Sequence, residues 1–483
     1  MMTRITRREF LQSASAGIAC AALARAEHYA DSAGPRHNVV VLMSDEHNPK
    51  YTSLHGHPLL DTPNLERLAA RGVFFENGYC PSPLCRPSRS AFMTGRHVHD
   101  IQCYNNCNAI SHEYPAYGAV LREQGVYTVH AGKTDVYRPA TELGFSELIV
   151  AHDRKPPGDL NIRREPLAVR VGDGQRRAQG WGPRENAWKN DKATVDASLA
   201  WLRERGSAMN QPFTLCVNIV APHFPHYATP DLWERYAAGA DLPAHGPDEA
   251  SAKHPYALDL RRHFETDTFT EEQIRGLRRG YLGCAAFVDG VIGRFLDALD
   301  ETGLADNTVF IYASDHGEML GKFGMWWKCS LYEDSARVPI VAAGPGFARG
   351  RRVRIPVDLH DVQASLFAAT QSQRPAEWVG APLQALQHGP EDRILFMEYH
   401  GHGVRGSGYC IRRGDWKLIW CAEAPHLLFN LAEDPEELNN LAEKAPDVFR
   451  ELEACLYAVC DPVKENARAA AFIERQLATA ASA

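Results

Sequence analysis

The chain has little that could cross a bilayer: its small and apolar run from Ala14 to Ala24 is far shorter than the ~20 residues a spanning helix needs. No stable membrane insertion is expected. It also has no excess of positive charge, since 52 Lys and Arg stand against 60 Asp and Glu for a net charge of -8 and a pI near 6.2. Nucleic acid is therefore not an expected partner, because binding it needs a basic face. The 12 cysteines show no zinc-finger spacing, and Cys103 and Cys107 read as small buried residues, with a disulfide as the alternative. No long internal repeat is present. What remains is a chain of 483 residues, 45% hydrophobic and 23% charged, able to bury an extensive core and falling between one large domain and three ordinary ones.

The amino terminus reads as an address. Thr6-Arg7-Arg8-Glu9-Phe10-Leu11 precedes the apolar run, and Ala24-Arg25-Ala26 offers small residues for cleavage. This pattern resembles a twin-arginine export segment over residues 1–26, with an amphipathic helix as the alternative. It implies the Tat translocon as a partner and a periplasmic or secreted enzyme.

Four strongly β-prone runs end abruptly in polar residues. Asn38-Val39-Val40-Val41-Leu42-Met43 leads to Asp45-Glu46, Val126-Tyr127-Thr128-Val129-His130-Ala131 to Gly132-Lys133, residues 213–220 to Pro222-His223, and residues 308–314 to Asp315-His316. Continuous apolar runs suit strands buried on both faces. Helical patterns lie between them: Thr62-Pro63 starts one that Gly72 stops, and Leu277 to Leu299 carries a long apolar stripe. Such alternation predicts an α/β sheet whose ligands gather at the carboxyl ends of its strands.

Two segments break the rhythm. Residues 153–192 hold ten Lys or Arg and six Asp or Glu with little periodicity, which reads as a surface insertion, solvated or forming a rim that recruits an anion. Beyond a linker near residue 375, short strand-like pieces and helices starting near Pro435 and after Asp447 predict a smaller α+β subdomain. The domains expected are a catalytic part over 36–375 and a carboxy-terminal part over 390–462.

Cys85 precedes a helix in which Pro87 suits the first turn and Gly95 the stop, so polarised N–H groups would face anything bound there. Arg89, one turn along, can offer a fork to oxygen at the same point. Asp45, Glu46, Asp315 and His316 are candidate metal ligands; the oxygen-rich set suits Ca2+, with Mg2+ or Mn2+ as alternatives.

Cys85-Arg86-Pro87-Ser88-Arg89 resembles the nucleophile motif of formylglycine-dependent sulfatases of the alkaline-phosphatase superfamily. Thr62-Pro63-Asn64-Leu65, Gly132-Lys133, Pro222-His223-Phe224-Pro225, Ser314-Asp315-His316-Gly317-Glu318, Trp327-Lys328 and Gly414-Asp415-Trp416-Lys417 fit the same family in order. The resemblance implies a large mixed, mostly parallel sheet flanked by helices, with a smaller α+β subdomain. It implies hydrolysis of a small-molecule or carbohydrate sulfate ester, and a formylglycine-generating enzyme as partner. By the same resemblance Cys85 becomes the formylglycine (3-oxoalanine) nucleophile and a metal ligand with Asp45, Asp315 and His316. Arg89 and Lys133 hold the hydrate, His223 and Lys328 hold the sulfate and one assists the leaving group, and Asn106 or its neighbour Asn105 contacts sulfate.

Two departures stand out. Glu46 occupies a place where many members have aspartate. Lys133-Thr134-Asp135 replaces Lys-x-His, so Asp135, or another group such as His130, must take the place of that histidine. The alternatives are a phosphonate monoester or phosphodiester hydrolase, against which Ser88 speaks, and a non-catalytic binder of sulfated glycans.

Overall fold

A computed structural model describes residues 34–482; the expected export segment lies outside the described residues. The first apolar run forms β1 (Asn38–Asp45), buried along its whole length. Side chains alternate across a strand, so Val39, Val41 and Met43 enter one core and Val40 and Leu42 another. A strand with two apolar faces must be covered on both sides.

The other strands of this sheet are β2 (Gly72–Phe75), β3 (Tyr127–Lys133), β4 (Glu147–His152), β5 (Phe213–Pro222), β6 (Thr308–Ser314), β7 (Ile340–Ala343) and β8 (Arg351–Val353). Their order is β8-β2-β7-β6-β1-β5-β3-β4. Only β7 is reversed, pairing antiparallel with β2 and β6, and the remaining pairs are parallel. The sheet is thus mixed and mostly parallel.

Helices cover both faces. α1 (Pro63–Arg71), α3 (Lys189–Glu204) and α4 (Glu271–Glu301) pack on the Val40 side, while α2 (Cys85–Thr94) and α5 (Leu359–Ala369) pack on the Val39 side. Thr62 precedes α1, but its hydroxyl bonds Ser53 at 2.7 Å. The first-turn N–H groups of Asn64 and Leu65 go instead to the Asp289 carboxylate of α4, at 3.3 and 2.8 Å. α4 starts earlier than its apolar stripe, because Thr270 and Gln273 cap it reciprocally.

β9 (Ile394–Tyr399), β10 (Gly408–Arg413), β11 (Trp416–Cys421) and β12 (Leu427–Asn430) form a small antiparallel sheet in chain order. α6 (Pro446–Val459) lies on it through Leu452, Cys455 and Leu456. The helix expected near Pro435 does not form: residues 431–445 hold only turns and irregular backbone. Glu437 takes a φ of 58°, and the Asp434 carboxylate draws the N–H groups of Leu438 and Asn439, at 3.0 and 2.7 Å, away from any helical pattern. A last helix, α7 (Pro462–Ala481), returns to the large sheet's side of the molecule, where Phe472 meets Tyr104 edge to face. No described helix is long and apolar enough to cross a membrane. Cys103 and Cys107 are buried and free, with no disulfide among the described residues.

Candidate active site

β6, β1, β5 and β3 are adjacent and parallel, so their carboxyl ends bring Asp315 and His316, Asp45 and Glu46, His223, and Lys133 to one edge. α2 begins at that edge. Leu84 is extended and Cys85 is the first helical residue, while Gly95 ends the helix at a φ of 61°. All ten residues of α2 are buried. The Asn106 side-chain oxygen accepts the Arg86 N–H at 3.1 Å, closing one of the orphan donors of the helix start.

Cys85 Sγ lies 3.2 Å from His316 Nε2, 3.2 Å from Lys328 Nζ and 3.8 Å from Asp45 Oδ1. Burial and Asp45 would raise the pKa of this thiol, but Lys133, Lys328 and His316 outweigh them and bring it to about 5. The position favours negative charge. Arg89 sits just behind it, with Nε donating to Asp315 Oδ2 at 2.7 Å, Nη2 to Asp45 Oδ2 at 3.4 Å and Nη1 to Asn218 Oδ1 at 3.0 Å. Lys133 also bonds Asp45.

Donor atoms of Asp45, Cys85, Asp315 and His316 lie within 4.8 Å of one another, and those of Asp45, Glu46 and His223 form a second such group. The carboxylate of Glu46 is the most telling. Its residue sits at a φ of 68°, and both oxygens are buried without a hydrogen bond. Its nearest basic groups are Lys328 at 3.5 Å and, at 3.4 Å, the His223 ring, whose pKa burial lowers to about 4. Burial pushes its pKa up, partly opposed by His223 and Lys328, to about 7. A buried carboxylate without a hydrogen bond is costly unless a cation completes it. His316 Nδ1 pairs with the Gly317 carbonyl at 3.0 Å, which turns Nε2 toward Cys85 Sγ, Asp45 and Asp315, the orientation a metal-bound histidine requires. The residues fit a hard divalent cation.

Asp135 lies one step out from this cluster, 3.5 Å from Lys133 Nζ. At a φ of 47° it is buried and held by Arg154, whose Nε and Nη2 donate to its two oxygens at 2.8 and 2.6 Å. Burial works against its charge, yet Arg154 and Lys133 hold its pKa below the usual carboxylate range. Such a carboxylate is a weak proton acceptor. His130 is enclosed within β3, bonded to Thr134 Oγ1 at 3.1 Å and beside Phe145, with burial lowering its pKa to about 3. Between the two asparagines the geometry is clearer. Asn105 is turned to Gln476 of α7 at 2.8 Å and to the Cys107 N–H, whereas Asn106 abuts the start of α2.

Several residues at the site have roles that the sequence motifs do not assign. Asn218, which receives Arg89, is the lone amide inside an apolar run, and that pattern could have marked it. Glu318 accepts the Trp327 and Leu320 N–H groups at 2.5 and 2.9 Å, which folds the loop that delivers Lys328. The insertion is no free loop: Asn108 N–H reaches Pro157 O at 2.9 Å, Asp159 N–H reaches Asn106 O at 3.0 Å, and Arg164 reaches His400 O at 2.8 Å. Arg177 lies over the ring of Phe224, 4.5 Å from its centre. The segment forms a wall beside the site.

Residues 37–372 match the family model described as Sulfatase, and residues 321–460 match that of the N-sulphoglucosamine sulphohydrolase C-terminal region. The choline-sulfatase of Rhizobium meliloti (strain 1021) is 31% identical over 433 residues, covering 84% of this chain and 82% of the relative. Arylsulfatase K of Danio rerio is 29% identical over 455 residues, covering 88% and 84%. Among solved structures, the phosphonate monoester hydrolase of Agrobacterium radiobacter superposes with a TM-score of 0.70 at 22% identity, covering 90% of this chain and 96% of that one, a likeness of fold.

Proposed function

We propose, from the premise that this chain belongs to the sulfatase family and is a sulfuric ester hydrolase, that it acts through a formylglycine made from Cys85 and a divalent cation held beside it. The observation that carries this reading is the company Cys85 keeps: three buried carboxylates, a histidine whose Nε2 faces its sulfur, and Lys328 in contact with that sulfur. A hydrated aldehyde supplies a hydroxyl nucleophile there, and a cation supplies Lewis acidity and charge neutralisation. Asp45, Glu46, Asp315 and His316 would hold the cation, with Ca2+ as the first choice and Mn2+ or Mg2+ as alternatives.

The rest falls to the chain's own side chains. Arg89 holds the Asp45 and Asp315 carboxylates in place. Lys133, Lys328 and the Asn106 amide would neutralise the non-bridging oxygens of the sulfate, and Lys328 or His223 would pass a proton to the departing alcohol. We assign Asp135 to holding Arg154 and not to proton transfer, because both of its oxygens are engaged. The substrate is a small-molecule or carbohydrate sulfate ester; the relatives' names make choline sulfate and aryl sulfates the first compounds to try. A formylglycine-generating enzyme would act before folding, since Cys85 is buried. The Arg7-Arg8 pair ahead of an apolar run supports Tat export to the periplasm, and changing both arginines to lysine should leave the enzyme in the cytoplasm.

Purified enzyme should be assayed on aryl sulfates, choline sulfate, sulfated monosaccharides, a phosphonate monoester and a phosphodiester. Sulfate release well above phosphoryl release is expected. Faster phosphoryl hydrolysis would favour the phosphonate hydrolase reading, and tight binding of sulfated glycans without turnover would favour a binder.

A further inference from the structure

Alternating charges run outward from the candidate metal site. Asp45 pairs with Lys133, Lys133 Nζ lies 3.5 Å from Asp135 Oδ2, and Asp135 Oδ2 lies 2.6 Å from Arg154 Nη2. The ladder reads minus, plus, minus, plus, and it stops on a cation. Its two cations differ in exposure: the side chain of Lys133 is 12% exposed and that of Arg154 30%, with Asp135 buried between them. Arg154 therefore stands at the mouth, outside the groups that surround the sulfate.

Its guanidinium is fixed from one side only. Nε and Nη2 are taken by Asp135, and its backbone carbonyl accepts from Asn108 at 3.2 Å, which ties it to the loop that carries Asn106. Nη1 makes no hydrogen bond among the described residues. Two other arginines of the insertion differ: Arg170 is engaged by Asp159 and by His263 at 2.8 Å, and Arg177 pairs with Asp173 at 2.7 Å while covering Phe224. Through Asn108, Arg154 borders the loop whose Asn106 side chain accepts the Arg86 N–H at the start of α2, one residue from Cys85. A planar fork held at the back and open at the front is pre-organised for an anion.

We infer that Arg154, positioned by Asp135, binds a second anionic group, a carboxylate or a further sulfate, on the alcohol half of the substrate. This rests on the sulfatase reading above and narrows it to dianionic esters. The inner cations serve the sulfate that is cleaved; Arg154 reads what it is attached to. Choline sulfate, whose alcohol is a cation, would meet repulsion at this point.

The test compares aryl sulfates that carry a carboxylate, a sulfonate or a neutral carboxamide at the ortho, meta or para position. In at least one position the wild-type enzyme should prefer an anionic ester by about 10-fold or more in kcat/KM, the scale of a charge-assisted hydrogen bond, and carboxylate against sulfonate identifies the group read. Arg154→Gln should remove that preference while the carboxamide ester changes less than about 3-fold. Because Arg154→Gln leaves Asp135 buried without its partner, Asp135→Asn/Arg154→Gln serves as a second variant, losing both charges together and predicted to turn over both ester classes at similar rates, its loss relative to wild type falling mainly on the anionic ones. Equal turnover of anionic and neutral esters by the wild type, or an equal loss on both in the double variant, would overturn the inference. Absence of turnover on every aryl sulfate would instead strike the sulfatase reading itself.

Discussion

Glu46 tests the metal centre at the level of one residue. Its buried carboxylate has no hydrogen bond and Lys328, 3.5 Å away, offsets its charge only in part, so Glu46→Gln should remove a charge that a bound cation would otherwise complete. In chelator the variant is expected to melt at or above the wild-type temperature, and added Ca2+ should raise the wild-type midpoint far more than that of the variant. Activity should fall by about 100-fold or more, in line with the loss of a group that holds a Lewis acid. An undiminished metal response would remove Glu46 from the ligand set. Asp135 gives a second residue-scale prediction. With Arg154 as its partner, Asp135→Asn should weaken kcat/KM mainly on anionic esters and leave the pH profile of kcat in place, whereas a proton-accepting role would reshape that profile. Most of these residues were legible in the sequence, because each polar group closes an apolar run. Arg154 was not: it lies in an aperiodic insertion, and only the fold brings it to Asp135.

At the scale of the element, α2 places Cys85, the proposed nucleophile, at its first residue and is closed by Gly95 just past its last. Gly95 has a φ of 61°, and a Cβ there would fall 2.8 Å from the Trp378 ring. Gly95→Ala is expected to cost more than about 1 kcal/mol, read from denaturant unfolding, while the folded fraction keeps its turnover per active site. A loss of turnover without a loss of stability would mean that α2 shifts as a rigid unit. The strands were easy to read because buried parallel strands show as unbroken apolar runs. Helix ends were harder: the partner of the α1 first turn, Asp289, is more than 200 residues away in sequence, and the turn at Glu437 replaces a helix through local side-chain bonds that no periodicity reports.

For the whole molecule, the small sheet is fastened to the large one by buried charge. His99, in the short helix Val98–Ile101, bonds Glu398 of β9 at 3.0 Å. Burial opposes the His99 proton, but Glu398 prevails and lifts its pKa from 6.5 to about 9. A raised histidine contributes stability that is complete below pH 6.5 and is lost as pH rises through about 9. The wild-type protein should therefore lose on the order of 2–3 kcal/mol across that window, and His99→Gln should lose less; equal slopes in thermal unfolding would contradict the assignment. The division into a large mixed sheet and a small antiparallel one was visible in the change of strand length, but the return of α7 onto the large part was not, since its contacts at Asn105 and Tyr104 are set by tertiary packing alone. The central claim, that this sulfatase works through an aldehyde at position 85, is tested most directly by mass spectrometry of the peptide spanning Cys85 from active enzyme. The account predicts formylglycine at position 85, in a fraction that tracks specific activity across preparations; fully active enzyme carrying only the unmodified thiol would contradict it.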